Sequence, residues 1–158
     1  MVDKRKFKDI NVSLLGLGTM RLPCETEQKR ESNRNIDYDK AQSLVDLAYK
    51  NGVNYFDTAY MYHCGKSEAF IGYALNKYPR DTYFIADKLP IWLCDTKEDM
   101  KRVFEKQLER TGMDYFDFYL LHSLDNENFE KCEKFYAYDF LKKMQKEGKI
   151  KYLSLIHI

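Results

Sequence analysis

Val53-Asn54-Tyr55-Phe56-Asp57-Thr58-Ala59-Tyr60-Met61-Tyr62-His63 is the stretch whose reading decides the fold. A β-rich run over 53–57 delivers a carboxylate at its end, and the loop beyond presents phenols and an imidazole. Ahead of it, Ala41, Leu44, Val45 and Ala48 recur at helical spacing after a capping Asp37, and Gly52 supplies a left-handed stop. Behind it, Ile71, Ala74, Leu75 and Tyr78 repeat that spacing, opened by Ser67 and ended by Pro79. Outward in both directions the alternation continues. Strands are predicted over 13–17, 83–88 and 116–122, with a last one starting at Ile150. Thr96 with Asp99 forms a capping box ahead of Met100, Val103, Phe104 and Leu108, and Gly112 closes that helix. A fourth stripe, Ala137, Phe140, Leu141 and Met144, ends at Gly148.

Alternating strands and helices signal βα units on a parallel sheet, hence the α/β class. Strand starts recur roughly every 30 to 40 residues, the unit length of a (β/α)8 barrel. Four complete units and part of a fifth fit in the chain. That periodicity is equally compatible with an open doubly wound sheet. Leu15-Gly16-Leu17-Gly18-Thr19-Met20-Arg21 tests the second option. A dinucleotide loop would place a third glycine where Arg21 stands and start its helix at once, whereas a polar loop over 25–35 follows. The two glycines then mark a turn that lets backbone approach a ligand closely.

Composition narrows the partners. The 158 residues are 44% hydrophobic and 32% charged, with 26 basic against 25 acidic side chains, so no basic field attracts nucleic acid or an anionic membrane. No run reaches membrane-spanning length, and the apolar stretch 12–17 is too short for a signal peptide. Cys24, Cys64, Cys94 and Cys132 form no C-x-x-C pair. They read as free thiols of a cytoplasmic protein, with neither a zinc nor a disulfide framework. No His-x-His stands near the end of the first strand, which argues against a metal-dependent hydrolase.

Three consecutive predicted strands finish in a titratable group: Asp57, Lys88 and His122. In barrels the carboxyl ends of the strands line one rim, where groups from several strands converge. Side chains alternate along a strand, so Phe118, Leu120 and His122 share one face, as do Phe84, Ala86 and Lys88.

With these residues in place, the chain resembles the aldo-keto reductases. The resemblance is carried by Leu15-Gly-Leu-Gly-Thr-Met-Arg21, by Asp57-Thr-Ala-x-x-Tyr62 followed by Gly65-x-Ser67-Glu68, by Lys88, and by Asp114-Tyr-Phe-Asp-Phe-Tyr-Leu-Leu-His122. It runs from about residue 13 to 152 and is nearest the bacterial branch in which the barrel often carries a 4Fe-4S, ferredoxin-like tail. Such a tail would lie outside this chain. The resemblance implies the N-terminal half of a (β/α)8 barrel over residues 1–152. It also implies an NADPH-dependent reductase, with NADH possible as the donor, acting on small-molecule aldehydes or ketones. Its catalytic tetrad falls on Asp57, Tyr62, Lys88 and His122; Gly18, Thr19, Met20 and Asp57 would meet the cofactor, and no metal is implied. Tyr62 would be the general acid. A free phenol ionises near ~10, and a neighbouring ammonium favours the phenolate. Lys88, held by Asp57, would supply that charge, and His122 would orient the carbonyl. Asp87 departs from the pattern, which commonly has Thr or Ser before the lysine. Tyr60 and His63 are rivals for the acid by proximity, and the spacing from Asp57 favours Tyr62.

The C-terminal hexapeptide Leu153-Ser-Leu-Ile-His-Ile158 is what the transposon-derived sequencing adapter CTGTCTCTTATACACATC encodes in one frame. Residues 153–158 are therefore expected to be non-native. On this expectation the chain is a fragment cut in the fifth strand, inactive alone, prone to aggregate through its open sheet edges and poor at holding NADPH. Oligomeric state is not legible. The alternative reading is a nucleotide-sensing or partner-binding subunit on the same fold.

Overall fold

The computed structural model describes residues 1–25 and 35–155. Most of the polar loop expected over 25–35, and the last three residues of the hexapeptide, lie outside the described residues. The chain divides into two compact units, Met1–Ile85 and Ala86–Ile158.

The first unit opens with an antiparallel hairpin, β1 (Lys4–Phe7) and β2 (Ile10–Ser13). It continues through β3 (Leu17–Gly18), α1 (Tyr38–Lys50), β4 (Tyr55–Asp57) and α2 (Ser67–Leu75), with β3 and β4 paired in parallel. The strand expected over 13–17 is thus a correction: it breaks into the end of β2 and the short β3. The break has two causes. Ser13, the last residue of β2, is tied to Asn54, its N–H donating to Asn54 Oδ1 at 2.8 Å while Asn54 N–H donates to Ser13 Oγ at 3.0 Å. At Gly16 the Tyr55 ring sits 3.0 Å from where a Cβ would be, so only glycine lets the chain pass.

α1 begins where expected, with the Asp37 carboxylate accepting from Lys40 N–H at 3.1 Å, and Gly52 follows its end at φ 93°. Ala41 and Val45 are fully buried, while Leu44 of the expected stripe is exposed. In α2 the expectation for Ser67 is corrected: the helix stops at Leu75, and Ser67 is its first residue with a fully buried side chain, not its cap.

The second unit opens within β5 (Phe84–Leu89), from Ala86 on, and continues in parallel through β6 (Phe116–Leu121) and β7 (Ile150–Leu155), in that order. α3 (Lys97–Thr111) connects β5 to β6, and its capping box forms as expected: Thr96 Oγ1 accepts from Asp99 N–H, and Asp99 Oδ2 accepts from Thr96 N–H at 3.0 Å. Gly112 ends it in the left-handed region at φ 65°. Between β6 and β7 stand two helices, not the single one expected, α4 (Asn126–Phe135) and α5 (Ala137–Lys146). Asp125 caps α4, and Tyr136, at φ 56°, makes the break. The stripe of α4 is faint in the sequence because only Asn128, Cys132 and Phe135 are buried, and Phe129 faces out.

Phe104 of α3 anchors this core. Its ring meets Tyr119 edge-on at 5.0 Å, Phe116 at 5.8 Å and Phe140 of α5 at 6.2 Å. One turn on, the fully buried Gln107 bridges helix and sheet: its Nε2 donates to the Lys88 carbonyl at 3.0 Å and its Oε1 accepts from Tyr119 O–H. Gln107→Leu would strand both partners in an apolar layer. It is expected to lower the unfolding free energy by about 2 to 3 kcal/mol, against about 1 kcal/mol for loss of the cap in Thr96→Ala. Urea titration measures both, and equal losses would show that the bridge adds nothing beyond an ordinary cap.

Candidate active-site rim

In the first unit β4 carries Asp57 to its carboxyl end, half-buried, with Tyr55 two residues back on the same face. Burial, reinforced by the Asp57 charge, pushes the Tyr55 phenol up to about 12, so Tyr55 is no proton source near neutrality. The Asp57 carbonyl is gripped by Thr19, whose N–H and Oγ1 both donate to it at 2.9 Å. Thr19 is fully buried, and Gly18 stands opposite Asp57 in the parallel register. No described atom lies within 4 Å of where a Gly18 Cβ would be, and Met20 is 57% exposed. Of the residues expected to meet the cofactor, Met20 is thus exposed and Gly18 open on its Cβ side, while Thr19 lies behind them, fully buried.

Tyr62 follows in the loop after β4, half-buried, and opens a short 3-10 turn, Tyr62–Gly65, with its N–H donating to the Ala59 carbonyl at 3.1 Å. His63, Cys64 and Gly65 then sit one after another in the left-handed region, at φ 51°, 55° and 82°. The contortion turns the His63 ring inward, where Nε2 accepts the Leu22 N–H at 3.0 Å. A ring nitrogen that accepts from an amide carries no proton, so the remaining proton sits on Nδ1, 3.8 Å from Cys24 Sγ. The imidazole thus ties the Leu22 loop to the Tyr62 loop.

In the second unit Lys88 lies in β5, almost wholly buried, opposite Leu120. Asp87 turns to the face of Tyr119, away from the Lys88 face, and its Oδ1 accepts the Lys88 N–H at 2.8 Å. His122 follows β6 directly, its N–H donating to the Leu89 carbonyl at 3.1 Å. Burial first, and then the Lys88 ammonium, push the His122 imidazole down to about 4. Trp92 covers it, with ring centroids 5.0 Å apart. Lys131 of α4 holds the Trp92 and Cys94 carbonyls through Nζ at 3.4 and 3.3 Å.

The structure thus joins Gly18, Thr19 and Asp57 at one strand end, with Tyr62 in the loop beyond, and it joins Lys88 with His122 on neighbouring strands. Three contributors are not evident from the sequence: Ser67 behind Thr19, Gln107 behind Lys88, and Trp92 over His122. Of these only Ser67 left a trace, in Gly65-x-Ser67-Glu68. Among the described residues no cluster of His, Cys, Asp or Glu could hold a metal ion, and no helix is long and apolar enough to cross a membrane. All four cysteines are free thiols, and burial pushes Cys94 and Cys132 up to about 11.

A profile of the Aldo/keto reductase family matches residues 14–156. An aldo-keto reductase of Gibberella moniliformis is 31% identical over 162 residues, covering 98% of this chain and 46% of that protein. The NADH-specific methylglyoxal reductase of Escherichia coli is 30% identical over 131 residues, covering 72% of this chain and 39% of that protein. A solved structure of an aldo-keto reductase from Klebsiella pneumoniae in complex with NADPH superposes with a TM-score of 0.72 at 25% identity, covering 100% of this chain and 50% of that one. The chain spans about half the length of the curated relatives it matches. The parallel βα units are those of the family's barrel, and with the match running over nearly all of its residues the chain belongs to the aldo/keto reductase family.

Proposed function

We propose that this chain supplies the catalytic rim of a nicotinamide-dependent reductase that converts small aldehydes or ketones to alcohols. The reading is carried by one observation: within a family match over residues 14–156, Asp57, Tyr62, Lys88 and His122 all occupy strand ends or the loop just after one. The hydride comes from NADPH, or NADH, when bound; the E. coli and Klebsiella proteins between them give precedent for both donors.

As hydride reaches the carbonyl carbon, negative charge grows on its oxygen, and a proton must arrive there. Tyr62 donates it. By resemblance to the family, Lys88 would sustain the phenolate left behind and Asp57 would steady the lysine ammonium. His122 orients the substrate oxygen as a neutral imidazole, since burial and the Lys88 charge disfavour a second cation beside it. Thr19, Met20 and the open side of Gly18 take the nicotinamide end of the cofactor.

Two outcomes follow for a full-length reductase containing this chain. Tyr62→Phe removes the donor and keeps the ring, and general acid catalysis is worth roughly 10²- to 10⁴-fold. Steady-state NADPH oxidation with an aldehyde panel should show kcat fall by at least about 100-fold, and equal turnover by the two proteins would remove Tyr62 from the mechanism.

The second concerns pH. His122 titrates at about 4 in the folded protein and near ~6.5 unfolded. Between those values the unfolded chain binds a proton that the native one refuses, so His122 costs stability as pH falls from ~6.5 towards 4 and costs nothing above that window. Carbon-detected NMR of the imidazole should show no ionisation midpoint between about pH 6 and 8, and His122→Gln should flatten the acid limb of the stability profile. A midpoint near 6.5 for His122 would defeat the neutral-imidazole assignment.

A further inference from the structure

Ser67 occupies a place that the proposed chemistry does not use. It is the first residue of α2, fully buried, and its hydroxyl lies 2.6 Å from Thr19 Oγ1 and 3.0 Å from Thr58 Oγ1; Thr19 and Thr58 are themselves fully buried. The direction of the proton in each contact can be assigned. The Asp57 carbonyl can only accept, so the Thr19 hydroxyl proton is committed to it at 2.9 Å. Thr19 Oγ1 then accepts from Ser67 Oγ–H, and with its own proton used, Ser67 Oγ accepts from Thr58. The result is a directed run of hydroxyls within one unit of the protein, Thr58 to Ser67 to Thr19 to the Asp57 carbonyl, with Ser67 Oγ also 3.5 Å from the Thr19 carbonyl.

A lone Thr19 could rotate its hydroxyl away from Asp57 at the cost of a single bond. With Ser67 donating to it, moving that side chain breaks two buried hydrogen bonds instead of one, and leaves the Asp57 carbonyl with the Thr19 N–H alone. We infer that Ser67 is a positioning residue: through Thr19 it locks the turn Gly18–Met20 to the Asp57 peptide, and so fixes the surface that receives the nicotinamide end of the cofactor. This role rests on the reductase reading. The anchor is α2, which gives a rigid support to a turn that β3, only two residues long, cannot hold by its own ladder.

Ser67→Ala deletes the hydroxyl with almost no change of shape, and Thr19→Val does the same for its partner. Two measurements on the full-length protein decide the matter. The first is amide hydrogen exchange at Thr19, whose N–H donates to Asp57: Ser67→Ala should accelerate it roughly tenfold, while the Tyr62 amide exchanges as before. The second is the dissociation constant of NADPH by fluorescence. It should rise about tenfold for Ser67→Ala with a smaller change in kcat, and the Ser67→Ala, Thr19→Val double variant should be no weaker than Thr19→Val alone, as two links of one chain require. Unchanged exchange at Thr19 would overturn the inference, as would unchanged cofactor binding beside accelerated exchange, or losses that multiply in the double variant. A wild-type protein that binds neither NADPH nor NADH would instead refute the reductase reading, and would overturn the cofactor half of the inference with it, while the exchange data would still decide the Thr19 lock.

Discussion

A peptide carbonyl at the end of a buried strand has no further ladder to join, yet it must find a donor. Each unit of this protein meets that demand with help from the helix that follows the strand, directly in one case and through a threonine in the other. In the first, Ser67 of α2 holds Thr19, and Thr19 donates twice to the Asp57 carbonyl. In the second, Gln107 of α3 donates straight to the Lys88 carbonyl and accepts from Tyr119. The residues whose carbonyls are held this way are the two proposed to set the charge around the acid. Backbone satisfaction and site geometry are therefore one requirement: loosening either helix would free a strand end, and with it a titratable side chain.

The sequence was most informative where a local rule acts within a few residues. Asp37 before α1, the Thr96 and Asp99 pair before α3, and Gly52 and Gly112 behind those helices all took their expected places, because caps depend on hydrogen bonds three or four residues long. β5 and β6 were legible to within a residue, since each is a short run rich in aromatic and aliphatic residues bounded by turn signals. The failures are non-local. Nothing near residue 14 announces that β2 will end at Ser13, where Asn54, some forty positions on, holds both its N–H and its hydroxyl. Nothing near Tyr136 announces a left-handed break, because that conformation usually calls for Gly or Asn.

The site follows the same division. Asp57, Lys88 and His122 could be picked out because a polar residue at the end of an apolar strand breaks a simple pattern. Ser67, Gln107 and Trp92 could not, since each looks ordinary in its own segment: a serine at a helix start, a glutamine in a charged helix, an aromatic after a proline. Their roles exist only through partners far off in sequence, Thr19 for Ser67, Lys88 and Tyr119 for Gln107, His122 for Trp92. Asp87 is the converse. It departs from the family pattern beside a central residue, yet the strand pleat sends it to the Tyr119 face, where it receives the Lys88 N–H.

The electrostatics of the second unit bear on which group can give up a proton. Lys88 and His122 are both largely buried on adjacent strands, and two cations cannot be kept there together without a large desolvation cost. The conflict is resolved on the imidazole, which Trp92 covers and which is pushed down to about 4. A histidine in that state is neutral near pH 7, and so is a poor source of the proton that a forming alkoxide needs, although either ring nitrogen can still hold a hydrogen bond to it. In the first unit His63 has one nitrogen committed to Leu22, and burial with the Asp57 charge holds the Tyr55 phenol protonated at about 12. Within each unit, then, a group that could compete for the proton is held in a state that does not release it near neutrality, Tyr55 in the first and His122 in the second, and the acid role proposed for Tyr62 is consistent with both.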